Sequence, residues 1–366
     1  MQRSGAHTRC VELHVSASSD RSAADASAGT AGGTFAGCHE QPVPASGHHL
    51  TMTVLVPTCG RSRYLEACLR ALGGQTRPPD QVVVVVSQWD PPTRDAVDRW
   101  RADTNLEVSV GVVQDPGVMA AMQAGLALAR CDVIAITDDD AVPHPDWLAR
   151  LEVHYRDQDV GGAGGRDLIH VPDGRSVSAR TARVVGRVSW FGRLTGNHHL
   201  GSGEPRSVDV LKGVNLSLRR RLWILDAPLR GTGAQPYWEV DLCLRARRNG
   251  CTLIYDPTAV VDHYPGPRVS GDERSTPSAG ARMDAAFNYT YTILRWLPFW
   301  QRILAAAYLL GVGSRSLPGL IWSILLLGSG RPPQRVAAIA RPAVHGTLSA
   351  IYHLVTASSG NAFGCP

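Results

Sequence analysis

At 366 residues the chain can form one large domain with appendages or two domains, and with 44% hydrophobic and 19% charged residues it is too apolar to be wholly disordered. The net charge of +5 would suit a polyanion, but the basic residues are spread over helices and tail without interleaved aromatic residues, which excludes nucleic acid as the expected partner. Eight scattered cysteines, with no CxxC pair and no Cys/His cluster at zinc spacing, exclude a structural zinc site and favour a reduced, cytoplasmic setting.

Met1 to Leu50 lacks the apolar segment of a signal peptide, is rich in Ser, Ala, Gly and His, and reads as a disordered extension over residues 1–50. Beyond it, strand and helix patterns alternate. Thr53 to Pro57 reads as a strand, and Arg61 to Leu72 as a helix with Leu65, Cys68, Leu69 and Leu72 on its apolar face. Gln81 to Ser87 is a buried strand, Thr93 to Ala102 a helix, Leu106 to Val113 a strand, and Val118 to Ala129 a helix. Val133 to Ile136 is a short β-branched strand covered on both faces, and Pro143 to Trp147 opens another helix. This βαβαβαβ order predicts an α/β fold with a doubly wound, mainly parallel sheet.

The fourth strand runs straight into Asp138, Asp139 and Asp140. Carboxylates at the carboxyl end of a parallel strand lie where such sheets bind ligands, and on a tight loop they suit Mg²⁺ or Mn²⁺. The plainer alternative is a solvated turn that caps the next helix.

The second half is less regular. Gly161 to Gly165 lacks the spacing of a phosphate loop and reads as a glycine-rich strand end near the site. Val184 to Arg206 reads as an acceptor-binding loop or lid, in which His198 and His199 are either ligands or, since adjacent side chains diverge, the better-favoured surface-loop residues. Val208 to Leu218 reads as a strand carrying Gly213 and Asn215, followed by a basic turn, Arg219 to Arg221. Lys212, in that strand, is the only lysine among 37 basic residues, and no function follows from that alone. Pro236 to Gly250 is a helix in which Glu239 and Asp241 point about 200° apart, so one of them at most serves a given ligand. Asp241 has Arg245 four residues on as a structural partner, whereas Glu239 in the first turn can face a cleft. Cys251 to Pro257 and Ala259 to His263 are short strands.

The tail carries apolar runs Ile303 to Val312 and Leu317 to Leu327, both shorter than the roughly 18 to 20 residues of a spanning helix. Flanked by Arg295, Arg302, Arg331, Arg335 and Arg341, these runs fit an interfacial hairpin on anionic lipid or a helical subdomain packed on the core.

Four ordered blocks, VPTCGRSRYLEACLRAL, ITDDDAVPHPDWL, LKGVNLSLRR and WEVDLCLRARRNGCTLIYDPTAVVDH, resemble the family 2 glycosyltransferases of GT-A fold. The resemblance covers about residues 51 to 268 and implies a GT-A domain over 51–275, followed by an apolar helical C-terminal tail over 276–366. It implies that Pro57 and Thr58 border the nucleotide base with Arg61 or Arg63 nearby, that Asp90 is a match for the acidic residue after the second strand, and that Asp138 contacts the ribose. Asp140 would hold the divalent metal, Mg²⁺ or Mn²⁺, with Asp139 sharing either role, and Gly213 and Asn215 would line the sugar and acceptor site. Glu239 falls at the general base, with Asp241 as fallback, because Trp238 and Glu239 stand where the family more often has a Glu-Asp pair. His263 resembles a second metal ligand, with a structural histidine as the alternative. The implied activity is inverting transfer from a nucleotide-sugar donor to a hydroxyl acceptor, saccharide, lipid-linked or small-molecule, in surface polysaccharide or glycolipid synthesis at the inner face of a membrane. The main rival is a noncatalytic carbohydrate-binding or scaffold protein. A nucleotidylyltransferase would need a glycine-rich opening with Arg and Lys, and a processive synthase a QxxRW motif; neither is present.

Overall fold

The computed structural model of the chain describes residues 14–15, 49–171, 180–266 and 277–360. Apart from residues 14–15 and 49–50, the extension expected at residues 1–50 lies outside them. In chain order the elements are β1 (His14–Val15), β2 (Met52–Pro57), α1 (Ser62–Gly73), β3 (Gln81–Ser87), α2 (Pro91–Asp103), β4 (Val108–Val113), α3 (Val118–Leu128) and β5 (Val133–Ile136). There follow β6 (Ala141–Pro143), α4 (Trp147–Glu152), β7 (Val160–Ile169), the small hairpin β8 (Arg187–Val188) and β9 (Leu194–Thr195), β10 (Arg206–Val208), β11 (Leu216–Arg219), α5 (Trp238–Arg248) and β12 (Thr252–His263). Four helices close the chain: α6 (Ala279–Trp296), α7 (Phe299–Gly311), α8 (Leu320–Gly328) and α9 (Pro333–Gly360).

The main sheet has the order β1-β4-β3-β2-β5-β11-β7-β12-β10, with β6 beside β12. β4, β3, β2 and β5 are parallel, β11 runs antiparallel between β5 and β7, and β12 is parallel to β7. Because successive side chains of a strand point to opposite faces, Val83 and Val85 join one apolar layer while Val82, Val84 and Val86 join the other. That is why the first strands are unbroken apolar runs. In α1 the buried residues are Leu65, Cys68, Leu69 and Leu72, the stripe expected from the sequence.

Several expectations are corrected. Val208 to Leu218 is not one strand: β10 ends at Val208, a turn closed by Lys212 and Asn215 follows, and β11 begins at Leu216. The two strands expected after Cys251 are one, β12, whose register against β7 shifts between Asp256 and Val260. Gly161 to Gly165 opens β7 rather than ending it. A Cβ at Gly165 would lie 1.8 Å from the Ala259 carbonyl oxygen, and one at Gly164 2.4 Å from that of Asn215, so the glycines let three backbones close together. The boundary expected at residue 275 lies outside the described residues; α6, which follows, places Ile293 in the sheet's own apolar layer.

Candidate active site

The loop after β5 holds the three aspartates, and β12 brings His263 to them, because its register pairs His263 with Ala141 on β6 and with Ile169 on β7. One ligand atom each from Asp138, Asp140 and His263 lie within 4.8 Å of one another. His263 Nε2 is 3.3 Å from Asp140 Oδ1, and its Nδ1 is 3.9 Å from Asp167 Oδ2. Asp140 Oδ1 and both ring nitrogens of His263 are buried without a hydrogen-bond partner. A buried, unsatisfied carboxylate oxygen and imidazole that face each other, with the partly exposed Asp138 carboxylate within reach, fit a divalent cation.

Asp139 points elsewhere. It accepts from Thr58 Oγ1 at 2.7 Å and pairs with Arg61 at 2.6 Å, and Arg61 also reaches Asp140 Oδ2 at 2.7 Å. Burial pushes the Asp139 carboxyl up to about 7 against the pull of Arg61 and the Thr58 hydroxyl. Burial also disfavours charge on Asp140, but contact with His263, the Arg61 charge and the Gly266 N–H outweigh it and hold that carboxyl at about 2. Burial works against an imidazolium at His263 too, yet contact with Asp140 and Asp167 raises it to about 9. Asp138, partly exposed, is raised by desolvation and then by Asp140. Thr58 and Arg61, between β2 and α1, are therefore joined to the aspartates, whereas Arg63 is exposed on α1. Asp90 accepts from Thr93 N at 3.3 Å as the N-cap of α2 and also from the Gly60 N–H, which ties α2 to the loop after Pro57.

Glu239 stands in the first turn of α5, near enough for the Asp138 charge to act on it. Desolvation raises its carboxyl from 4.5 to about 7, while the Lys212 charge pulls it down and Asp138 pushes it up. The chain approaches α5 through Gln235 (φ 40°) and Tyr237 (φ 75°), two non-glycine residues in left-handed conformation. Packing holds them there: Gln235 Oε1 accepts from Met119 N at 3.0 Å, and the Tyr237 ring meets Tyr289 at 5.0 Å. Asp241 is turned away and 2% exposed. It does not pair with Arg245 as expected: it accepts from Trp296 Nε1 at 2.8 Å, with Arg295 at 3.5 Å, and Arg245 pairs with Asp226.

Gly213 and Asn215 sit beneath this arrangement. A Cβ at Gly213 would lie 2.7 Å from the Trp238 ring. Asn215 is fully buried, accepts from Trp147 Nε1 at 2.8 Å and donates to the carbonyls of Arg166 and Ala259, so it joins α4, β7 and β12. His198, expected on the surface, is buried: its Nε2 lies 2.9 Å from the Val210 carbonyl oxygen and burial pushes the ring down to about 4. His199 is partly exposed.

Two residues of the cleft were not anticipated. Asp167, near the end of β7, is fully buried and ion-paired to Lys212, and the Lys212 charge acts on both Asp138 and Glu239. Only the strand register could have found Asp167. Lys212 had a signal in being the only lysine of the chain.

The family described as Glycosyl transferase family 2 matches residues 53–214, from β2 to just before β11, and the match stops short of Glu239 and His263. An uncharacterized protein, y4gI, of Sinorhizobium fredii is 23% identical over 248 residues, 65% of this chain and 27% of the relative. A pre-mycofactocin glycosyltransferase of Mycobacterium tuberculosis is 26% identical over 232 residues, 62% of this chain and 45% of the relative. A glucosyl-dolichyl phosphate glucuronosyltransferase of Haloferax volcanii is 25% identical over 228 residues, 58% of this chain and 69% of the relative. The chain thus spans less than half the length of the first two of these curated relatives. Among solved structures, a mannosyltransferase of Pyrobaculum calidifontis in complex with GDP-Man and Mn²⁺ aligns with TM-score 0.50 over 86% of this chain and 92% of its own, at 17% identity. At that identity the likeness is one of fold.

Proposed function

Because residues 53–214 belong to glycosyl transferase family 2 and the chain has a GT-A fold, we propose that the protein transfers a sugar from a nucleoside diphosphate donor to an acceptor hydroxyl. The observation that carries the reading is the meeting of Asp138, Asp140 and His263 at the strand ends, with a desolvated carboxylate, Glu239, within electrostatic reach of Asp138. Ionisable groups perturbed together at strand ends favour a catalytic site over one that only holds carbohydrate.

In this reading Pro57, Thr58, Arg61 and Asp90 border the nucleoside, Asp138, Asp140 and His263 hold Mg²⁺ or Mn²⁺, and Glu239 faces the acceptor. When bound, the ion neutralises charge on the departing diphosphate. Glu239 takes the proton of the acceptor hydroxyl as its oxygen bonds to the anomeric carbon. The bond from that carbon to the phosphate oxygen breaks, and its electron pair leaves with the nucleoside diphosphate. A single displacement inverts the anomeric configuration and needs no covalent enzyme intermediate. Arg61 also acts on the loop itself, because it pairs with both Asp139 and Asp140. The acceptor is a lipid-linked hydroxyl presented at the cytoplasmic face of a membrane, a reading supported by the arginine-flanked apolar tail.

Calorimetric titration of UDP, GDP and dTDP, with Mn²⁺ and with EDTA, tests the site. Binding that needs Mn²⁺ and disappears in Asp140→Ala is expected. If no nucleotide binds in either buffer, the transferase reading fails and a noncatalytic role takes its place.

A further inference from the structure

We propose that α7 and α8 form a docking surface that seats the protein on an anionic lipid bilayer, lying in the interface without crossing it. On α7, Phe299, Trp300, Ile303 and Leu304 are between 40% and 77% exposed, and on α8, Leu320, Ile321, Ile324, Leu325 and Leu327 are between 43% and 65% exposed. Their spacing follows the helix period, so each helix turns a continuous apolar face outward. Leu326 is the only buried residue of α8. Nine large apolar side chains left to water on two joined helices are far more than the scattered exposure of an ordinary surface.

Charge selects the occupant. From residue 285 to residue 366 the chain has no Asp, Glu or Lys and six arginines. Arg295 and Arg302 face inward, the first on Asp226 and Asp241 and the second on backbone carbonyls of Leu297 and Arg295. Arg315, Arg331, Arg335 and Arg341 are exposed, in the turn between the helices and beyond α8. An apolar band edged by arginines, with Trp300 and Phe299 at one end, suits acyl chains below phosphate headgroups. A second copy fits poorly, because self-pairing would set arginine against arginine in a segment that has no carboxylate to answer them. Among the described residues no helix is long and apolar enough to cross a membrane, which leaves the interface as the depth of insertion.

The surface is mechanically tied to the cleft. Phe299 follows three residues after Trp296, whose indole N–H holds Asp241 on α5, the helix that begins beside Glu239. The inference rests on exposure and charge and stands apart from the transfer reaction.

Full-length protein is sedimented with vesicles of phosphatidylcholine alone and of phosphatidylcholine with phosphatidylglycerol, beside the double variant Ile303→Asp, Ile324→Asp. Both positions are exposed, so the variant is expected to keep the melting temperature and far-UV spectrum of the parent. The parent is expected to pellet with the anionic vesicles, and the variant to bind them more weakly by roughly tenfold or more. High salt is expected to weaken the parent by a similar factor. A parent that stays in solution with both vesicle types, or a variant that binds as well as the parent, overturns the proposal. Equal binding to neutral and anionic vesicles overturns the role of the arginines. A dimer that the double substitution dissolves, with no vesicle binding, gives the face to a second copy instead.

Discussion

Glu239 and Asp241 are two residues apart and have opposite environments. Glu239 is desolvated with its carboxyl at about 7, so a reaction that needs it ionised should rise about tenfold per pH unit below that value and level off above it. Its ordinary value is 4.5, so the folded state resists ionisation that the unfolded chain accepts. The resulting destabilisation is absent below the ordinary value, grows above it and is complete above about 7, where it is roughly 3 kcal/mol. Glu239→Gln should therefore lower the rate by about two to four orders of magnitude and yet raise stability at alkaline pH, a gain that vanishes in acid. Melting the variant and parent across pH checks this, and an unchanged pH–rate profile would remove Glu239 as the base. Asp241→Asn should do the reverse: it weakens the Trp296 bond at a cost of about 1 to 2 kcal/mol while the pH profile keeps its shape. Lys212 offers a cleaner probe, because it is the only lysine. Reductive amination with pyridoxal phosphate should label it and the terminal amine alone, and nucleotide with Mn²⁺ should protect it; labelling at an undiminished rate would place its amine outside the cleft.

At the level of elements the site depends on close packing beneath it. Asn215 holds α4, β7 and β12 together through three buried partners. Asn215→Ala leaves the Trp147 indole N–H and the carbonyls of Arg166 and Ala259 unsatisfied, and chemical denaturation should show a loss of about 3 kcal/mol. Gly213→Ala places a methyl 2.7 Å from the Trp238 ring, which must move and carry the first turn of α5 with it. Turnover should fall more than nucleotide affinity, because Trp238 adjoins Glu239 and not the aspartates. Both residues were expected to line the sugar site. In the fold Asn215 is fully buried and Gly213 abuts the Trp238 ring, contacts that periodicity and spacing do not contain.

For the whole molecule the question is where the catalytic unit ends. The resemblance puts the boundary at residue 275. In the fold, Tyr289 accepts from the Leu194 N–H at 3.0 Å and donates to the Gly192 carbonyl at 2.9 Å, Asn288 clamps both backbone groups of Arg230, and Ile293 lies in the sheet's apolar layer. Truncation after residue 276 should abolish cooperative unfolding, since it strips a core face and bares Asp241. A truncated protein that melts sharply would show that α6 belongs to the tail.

The amino-acid sequence by itself determined the alternation of strands and helices up to the aspartates, the buried stripe of α1, and the acidic loop at a strand end, because unbroken apolar runs, helical period and an acidic cluster are local properties. Only the tertiary structure decided that Asp139 turns to Arg61 while Asp138 and Asp140 meet His263, that Asp167 and Lys212 join the cleft, and that Asp241 serves α6. Those outcomes rest on strand register and on contacts between residues tens of positions apart, and a register is settled by the whole sheet, not by any one segment of it.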